Sequence, residues 1–287
     1  MIPAARGNGG RTERESVVDL HTHSTASDGL LAPARLVALA VERGLRVLAL
    51  TDHDTVGGIA EAGAAAATTG LRFIPGVELS TFVEAGEVHM LGYFIDPANP
   101  TLLDALARFR EAREGRAEGM VARLREAGAP IRLERVFELA AGGSIGRPHV
   151  ARALVEAGHA TSVGDAFDRW LVRGRPGYVE RYKLTPPAAV KLIREVGAVP
   201  VLAHPHSADD LADLLPTLLA AGLAGLECYY GDYDNDRRDE YLRLASRHNL
   251  VPTGGTDFHG TGTAHRRPLG NTYVPLASVE ALAACRP

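Results

Sequence analysis

An apolar strand that runs directly into two alternate histidines lies near the start of the chain, in the stretch Val17-Val-Asp-Leu-His-Thr-His-Ser-Thr-Ala-Ser-Asp-Gly29. Side chains two positions apart on an extended backbone project to the same side, so His21 and His23 are expected to point together from the strand end. Neutral imidazole is the commonest side-chain metal ligand, and Asp28 in the following turn adds a carboxylate oxygen. The stretch therefore predicts a metal site at the carboxyl end of the first strand.

The same succession of apolar strand, polar strand end and helix recurs along the chain. Strands are predicted to begin near residues 17, 47, 72, 88, 199, 225 and 250, and helical patterns follow them. This alternation predicts an α/β fold with a parallel sheet. An open doubly wound sheet also places its sites at the carboxyl ends of strands, but it does not readily bring six strand ends to one point. We therefore expect the sheet to close into a (β/α)7 barrel with its site at the carboxyl ends of the strands.

The pattern changes between residues 99 and 185, where helical segments replace the apolar strands. We predict that residues 15–98 and 186–287 build the barrel and that 99–185 form a mostly helical insertion that covers its mouth. Within the insertion, Arg108 to Arg125 alternate with glutamates, which predicts a solvated helix face. Residues 1–14 are rich in glycine and arginine and are predicted to be a disordered tail.

The composition excludes several classes of function. The chain has 287 residues and a formal net charge of −4, so it lacks the basic surplus that a DNA footprint needs. No apolar run approaches the roughly 18 residues of a membrane span, and the start of the chain lacks the apolar core of a signal peptide. Cys228 and Cys285 are far apart in sequence, which is typical of reduced thiols in a cytoplasmic protein. No sequence feature indicates an obligate protein partner.

Nine potential metal ligands follow the predicted strands. Taken singly, each has an ordinary explanation as a surface, capping or turn residue, but nine at one face of a sheet favour shared ligation. The set comprises His21, His23, Asp28, His53, Glu78, His89, His204, Asp257 and His259.

Six imidazoles and three carboxylates exceed what one tetrahedral ion uses. We therefore expect two or three divalent ions, with Glu78 as a bridging ligand. Three such ions would leave a charge of about +3 after the carboxylates are counted, which attracts phosphate and stabilises bound hydroxide. Mixed nitrogen and oxygen ligation suits manganese, iron, zinc or cobalt.

Together these motifs resemble those of the PHP (polymerase and histidinol phosphatase) family of metal-dependent phosphoesterases. The resemblance implies a distorted (β/α)7 barrel and three divalent ions, for which we expect manganese, with iron, zinc or cobalt as alternatives. The matching pieces are Asp19-Leu-His-Thr-His-Ser24, Ser27-Asp28-Gly29, Thr51-Asp-His-Asp-Thr55, Gly76-Val-Glu78, His89, Ala203-His-Pro205 and Gly255-Thr-Asp-Phe-His259. By that resemblance the three ions are held by His21, His23, Glu78 and Asp257; by Glu78, His89 and His204; and by Asp28, His53 and His259.

The insertion with Gly146-Arg-Pro-His-Val150, together with His204-Pro-His206, resembles one subgroup of that family. This subgroup removes the 3′-phosphate of nucleoside 3′,5′-bisphosphates, and some members degrade short RNA from 5′ to 3′. The resemblance implies a nucleotide or short-RNA substrate and hydrolysis by a metal-bound hydroxide. A phosphatase of a small metabolite such as histidinol phosphate, and a metal-binding protein without turnover, are the alternatives.

Three residues besides the ligands are predicted to contact the substrate. The planar guanidinium of Arg147 suits a second phosphate group. His206 is expected to contact phosphate or to donate a proton to the leaving group, and His149 is a further candidate for substrate binding. Glu78, Arg147 and His206 are therefore the predicted catalytic residues.

Two further pairs of residues lie beside the predicted ligands. Asp52 and Asp54 flank His53 and are expected to orient its ring or to cap the next helix, rather than to bind metal. Tyr229 and Tyr230 follow a strand, so either is placed to line the mouth and to stack on a base.

Overall fold

The computed structural model describes residues 17–83, 86–141, 143–180, 184–208, 210–231, 233–260 and 267–287. The predicted tail at residues 1–14 lies outside the described residues. None of the helices within the described ranges has the length and apolar character that a bilayer span requires.

Seven short strands form one sheet in which neighbours in sequence are hydrogen-bonded neighbours in space. All four residues of Val47–Leu50 are buried, as expected for a strand that is covered on both faces. The Leu20 N–H donates to the Gly254 carbonyl at 3.3 Å, which joins the first strand to the last and nearly closes the barrel. The predicted seven-stranded α/β barrel is thereby confirmed. Its strands are β1 (Val18–Asp19), β2 (Val47–Leu50), β3 (Arg72–Val83), β4 (Gly86–Tyr93), β5 (Val199–Leu202), β6 (Gly225–Tyr230) and β7 (Val251–Gly255).

One strand runs against the others, so the expectation of a fully parallel sheet is wrong. β4 pairs antiparallel with both β3 and β5. Residues 84 and 85 alone separate β3 from β4, and a parallel neighbour needs a crossover of about a dozen residues or more. A connection this short permits only a hairpin, so the third β/α unit lacks its helix and the barrel is distorted.

The helices of the barrel each bury one apolar face against the strands. Pro33, whose fixed φ suits the first helical position, begins α1, and this helix buries Leu36 and Ala40. The helices are α1 (Pro33–Glu42), α2 (Ile59–Ala67), α3 (Pro100–Glu126), α4 (Leu133–Ala140), α5 (Arg147–Glu156), α6 (Val163–Ala166), α7 (Pro186–Glu195), α8 (Leu211–Ala221), α9 (Asn235–Arg247) and α10 (Leu276–Ala284).

The helices between β4 and α7 have an apolar core of their own. Leu124 at the end of α3 and Leu154 of α5 belong to this second core. The first half of α3 instead packs into the barrel core through Leu102 and Leu106. One continuous helix therefore joins the two cores. The division of the chain at 99–185 stays a proposal, which the second core supports.

Candidate metal centre

The two histidines after β1 project together because the residue between them is fixed to the opposite side. The Thr22 hydroxyl donates to the Ala49 carbonyl at 2.6 Å, and the Thr22 N–H donates to Thr51 Oγ1 at 3.2 Å. Alternation along the extended chain then turns both histidines inward. His21 and His23 are fully buried, and their ring centroids lie 5.2 Å apart.

The carboxylate of Glu78 lies at the middle of the cluster. It is fully buried on β3 and faces five imidazoles. Its Oε2 atom lies 3.1–3.2 Å from ring nitrogens of His21, His23 and His53. Its Oε1 atom lies 2.9–3.1 Å from ring nitrogens of His89 and His204. One carboxylate whose two oxygens both face several ring nitrogens has the geometry of a ligand that bridges cations.

His89 reaches this cluster from the first half of its strand, where it pairs with Ser80 of β3. The expectation that every ligand follows the carboxyl end of a strand is therefore wrong for His89. Because β4 runs antiparallel to its neighbours, its amino half lies at the face where the parallel strands end. The reversed strand thus still brings His89 to the mouth of the barrel.

The ligand atoms fall into three groups, and within each group all the atoms lie within 4.8 Å of one another. Glu78, His23 and His53 each belong to two groups, so the three sites would share ligands. Asp28 joins the cluster through His259, whose Nε2 lies 3.3 Å from Asp28 Oδ1. The groups are His21, His23, Glu78 and Asp257; His53, Glu78 and His89; and His23, Asp28, His53 and His259. The nine residues predicted as ligands thus meet at one opening, with His204 attached through Glu78.

Several buried atoms in the cluster lack a hydrogen-bond partner, as atoms that coordinate cations do. They include His21 Nε2, both ring nitrogens of His23, His53 Nδ1 and Glu78 Oε2. Each such atom would cost about 1–3 kcal/mol if it stayed unsatisfied. Burial lowers the pKa of His53 to about 3, which keeps its ring neutral and able to ligate. Burial alone would raise the pKa of Glu78, but the imidazoles of His21 and His89 hold it well below its usual range, so the carboxylate is charged. The donor set therefore fits divalent ions.

Removal of metal should destabilise the protein. We expect a chelator to lower Tm and added Mn²⁺ to restore it, because an ion that binds only the folded state adds about 2.7 kcal/mol at a free concentration of a hundred times Kd. Differential scanning calorimetry with and without the chelator measures the shift. An unchanged Tm would show that these side chains hold no ion that contributes to stability.

Glu227 is a buried carboxylate that the sequence analysis missed. It accepts a hydrogen bond from the His204 N–H at 2.6 Å and lies 3.1 Å from His21 Nδ1. His204 has a φ of 24°, a sparsely populated region for a residue with a side chain, and the bond to Glu227 helps to hold it there. A charged residue inside the apolar strand Gly225–Tyr230 was the available signal, since carboxylates are rarely buried without a partner.

Two more buried carboxylates fix the loops that carry ligands. Asp19 accepts hydrogen bonds from the N–H and the hydroxyl of Thr256, at 3.0 and 2.6 Å, next to Asp257 of the cluster. Asp52 accepts from the Ser24 N–H and from the Ser27 hydroxyl, at 2.7 and 2.6 Å. Asp52 therefore holds the loop that carries Asp28, whereas the sequence predicted that it orients His53 or caps a helix.

Arg113 contradicts the prediction that the arginines of α3 form a solvated face. Its side chain is 6% exposed and donates to Asp54 Oδ2 at 2.7 Å, to Ser80 Oγ at 2.9 Å and to the Ile145 carbonyl at 2.9 Å. Arg116 on the same helix is also buried. The alternation of charges does not reveal that this face of α3 lies against the mouth of the barrel. Asp54 consequently anchors the insertion through Arg113, a role that the sequence did not predict.

Replacement of Arg113 should destabilise the fold. In Arg113→Ala the carboxylate of Asp54 stays buried without the opposite charge of the guanidinium, and breaking a buried pair in this way costs about 3–5 kcal/mol. Urea unfolding followed by circular dichroism measures the loss. The exposed Arg110→Ala on the same helix is the matched control and should change stability by less than about 0.5 kcal/mol. Equal effects of the two replacements would contradict a structural role for the buried pair.

Arg147 lies at the start of α5 and lines the cavity above the cluster. Its guanidinium donates to Glu87 Oε2 at 2.8 Å and lies 5.6 Å from the ring centroid of Phe167. It therefore faces the predicted substrate region, and an incoming phosphate would compete with Glu87 for it.

The two other predicted substrate contacts differ in their positions. His206 lines the cavity, and its Nδ1 lies 3.0 Å from the Tyr233 hydroxyl, a contact that no local sequence pattern predicts. His149 is 1% exposed, and its Nδ1 accepts a hydrogen bond from the Gly146 N–H at 3.0 Å. Burial lowers the pKa of His149 to about 4, so its ring is neutral at pH 7. His149 thus supports the loop before Arg147 rather than lining the cavity.

The cavity above the cluster has a volume of about 320 Å³. Its barrel side consists of imidazoles and carboxylates, and its opposite side comes from the insertion through Arg113, Arg147 and Phe167. Cation ligands and fixed guanidinium groups in one cavity define a site that binds an anion and activates water, as in metal-dependent hydrolases.

Comparisons with known proteins agree with this class. The model of the PHP domain matches residues 19–129. A 5′-3′ exoribonuclease Rnm from Escherichia coli is 40% identical over 249 residues, which cover 85% of each chain. A 3′,5′-nucleoside bisphosphate phosphatase from Chromobacterium violaceum is 38% identical over 260 residues, covering 89% of this chain and 91% of that protein. A solved structure from Bifidobacterium adolescentis, described as a candidate metal-dependent phosphoesterase, has a TM-score of 0.85 at 32% identity and covers 94% of this chain and 96% of that one.

The chain belongs to the PHP family of metal-dependent phosphoesterases. The family resemblance stated from the sequence motifs is thereby confirmed. Among the alternatives, a metal-binding protein without turnover loses its support, because the related proteins are named as enzymes.

Proposed function

We propose that the protein hydrolyses the 3′-phosphate of nucleoside 3′,5′-bisphosphates and degrades short RNA from its 5′ end. The observation that carries this proposal is the presence of two separate anion-binding elements in one cavity. One is the ligand cluster around Glu78, and the other is the guanidinium of Arg147 on the insertion. A substrate with two phosphate groups uses both, whereas a small monophosphate needs only the first.

Each side chain has a distinct task in this reaction. When bound, the divalent ions would supply positive charge to the phosphoryl oxygens and lower the pKa of the attacking water toward about 7. Glu78 would hold the ions at a fixed separation. Arg147 would bind the 5′-phosphate through parallel N–H donors and so place the 3′-phosphate over the cluster.

His206 would contact the phosphate or deliver a proton to the leaving 3′ oxygen. Its Nδ1 is occupied by the Tyr233 hydroxyl, which fixes the ring and leaves Nε2 for the substrate.

Three divalent ions, with manganese as the expected metal, complete the proposal. The three groups of ligand atoms support that number. We further propose a cytoplasmic location, which the free thiols of Cys228 and Cys285 support. The expected partner is the substrate alone, either a nucleotide or a short RNA.

Phosphate release from a panel of compounds in the presence of Mn²⁺ tests the proposal. Adenosine 3′,5′-bisphosphate should give the highest kcat/KM, above adenosine 3′-phosphate, adenosine 5′-phosphate and histidinol phosphate. A preference for histidinol phosphate would instead favour the small-metabolite phosphatase. Absence of hydrolysis across the panel, with metal bound, would contradict both functions.

A further inference from the structure

A second cavity of about 720 Å³ adjoins the metal centre at the carboxyl end of β6. Tyr230 lines both cavities. Tyr233 lines the second cavity and contacts His206, which lines the first. The ring of Tyr230 and the Tyr233–His206 pair therefore lie between the two cavities, which are neighbours on this side of the metal centre.

The second cavity is unusually rich in aromatic rings. Four tyrosines line it: Tyr229, Tyr230, Tyr233 and Tyr273. Tyr273 is 57% exposed, the highest value among the large hydrophobic side chains of the described ranges. Its ring lies at 89° to the ring of Tyr229, with centroids 6.4 Å apart, and its exposure leaves aromatic surface open to solvent at the cavity. Exposed aromatic faces of this kind are the platforms on which nucleic-acid bases stack.

The charge of this cavity suits a polyanion. Among its described lining residues there is one cation, Arg238, and no carboxylate. Arg238 contacts its exposed neighbour Asp239 at 3.2 Å, a surface pair that is easily exchanged for phosphate. Asn271 and Thr272 add polar groups able to hydrogen-bond to base edges or sugar hydroxyls. The lining thus combines stacking surface, hydrogen-bonding groups and positive charge.

An internal phosphodiester needs such a space, whereas a terminal phosphate does not. In a nucleoside bisphosphate the scissile 3′-phosphate ends the molecule, but in RNA it carries a second nucleoside. Cleavage would break the bond between phosphorus and the 3′ oxygen of the first nucleotide, a water oxygen would bond to phosphorus, and the 3′ oxygen would take up a proton. The phosphate would then leave on the second nucleotide.

We propose that the tyrosine-lined cavity binds the second nucleotide of a single-stranded RNA, with its base stacked on Tyr273, while the first nucleotide occupies the metal centre. The inference rests on the proposed function and extends it, because it assigns the part of the substrate that a bisphosphate lacks. In this arrangement Arg147 of the insertion contacts the 5′-phosphate, and the residues at the end of β6 contact the remainder of the RNA.

Tyr273→Ala tests the inference when two substrates are compared. For 5′-phosphorylated tetra-adenylate we expect kcat/KM to fall about 5- to 100-fold, mostly through KM, because base stacking on an aromatic side chain is worth about 1–3 kcal/mol. For adenosine 3′,5′-bisphosphate the change should stay under about twofold. Tyr273→Phe is the matched control, since it keeps the ring and should cleave both substrates nearly as the unmodified protein does.

A tetranucleotide whose second nucleotide lacks its base tests the contact from the substrate side. The unmodified protein should cleave it as slowly as Tyr273→Ala cleaves tetra-adenylate, and Tyr273→Ala should add no further loss. Equal losses on bisphosphate and tetra-adenylate, or no loss on either, would overturn the inference. Unmodified protein that hydrolyses the bisphosphate but not the tetranucleotide would overturn it while leaving the phosphatase function intact. Failure on both substrates would instead contradict the proposed function itself.

Discussion

Glu78→Gln should abolish turnover while leaving the fold intact. One charge is lost from the carboxylate that faces five ring nitrogens, and the neutral amide cannot bridge two cations. We expect kcat to fall on the order of 10³-fold, the magnitude seen when one preorganised electrostatic group is removed from an active site. Steady-state phosphate release gives kcat, and elemental analysis of the same sample should find fewer bound ions per chain.

The exposed Glu111→Gln on α3 is the matched control for this substitution. It makes the same chemical change away from the cluster and should leave both kcat and metal content unchanged. Near-normal activity of Glu78→Gln with a full complement of metal would show that Glu78 does not bridge the ions.

Arg147→Ala should weaken the binding of a bisphosphate far more than that of a monophosphate. A charge-assisted hydrogen bond contributes about 1.5–3 kcal/mol, so KM for adenosine 3′,5′-bisphosphate should rise roughly 10- to 100-fold. KM for adenosine 3′-phosphate should change less than about threefold, since that molecule has no second phosphate to contact the guanidinium. Initial-rate kinetics with the two substrates measure both values.

Arg147→Lys separates charge from geometry in the same experiment, because it keeps the charge but loses the planar fork, and it should give an intermediate KM. The exposed Arg175→Ala within the insertion controls for a general loss of positive charge. Equal increases in KM for both substrates of Arg147→Ala would mean that Arg147 does not recognise the second phosphate.

The barrel and the cluster of histidines and carboxylates at its mouth were predictable because local patterns encode them. Val47–Leu50 is uniformly apolar since both faces of its strand are covered, and the alternation in His21 and His23 specifies a shared direction. The carboxyl ends of neighbouring parallel strands lie beside one another. Polar residues at several such strand ends therefore predict one shared site.

The errors arose where long-range packing outweighs the local pattern. The reversal of β4 depends on the length of one connection, although His89 reaches the site in spite of it. The local sequence predicts that the helix face of Arg113 is solvated, because Asp54, to which Arg113 donates, lies 59 positions earlier in the chain. The contact of Tyr233 with His206 likewise joins residues 27 positions apart, and neither local sequence shows it.

Anomalous diffraction at the manganese edge, from crystals grown with Mn²⁺, tests the metal cluster most directly. Three peaks are expected at the barrel mouth, with neighbouring peaks about 3.5–4 Å apart as in two-metal sites and with Glu78 contacting two of the ions. No peak beside Glu78, or peaks scattered over separate faces of the protein, would contradict it.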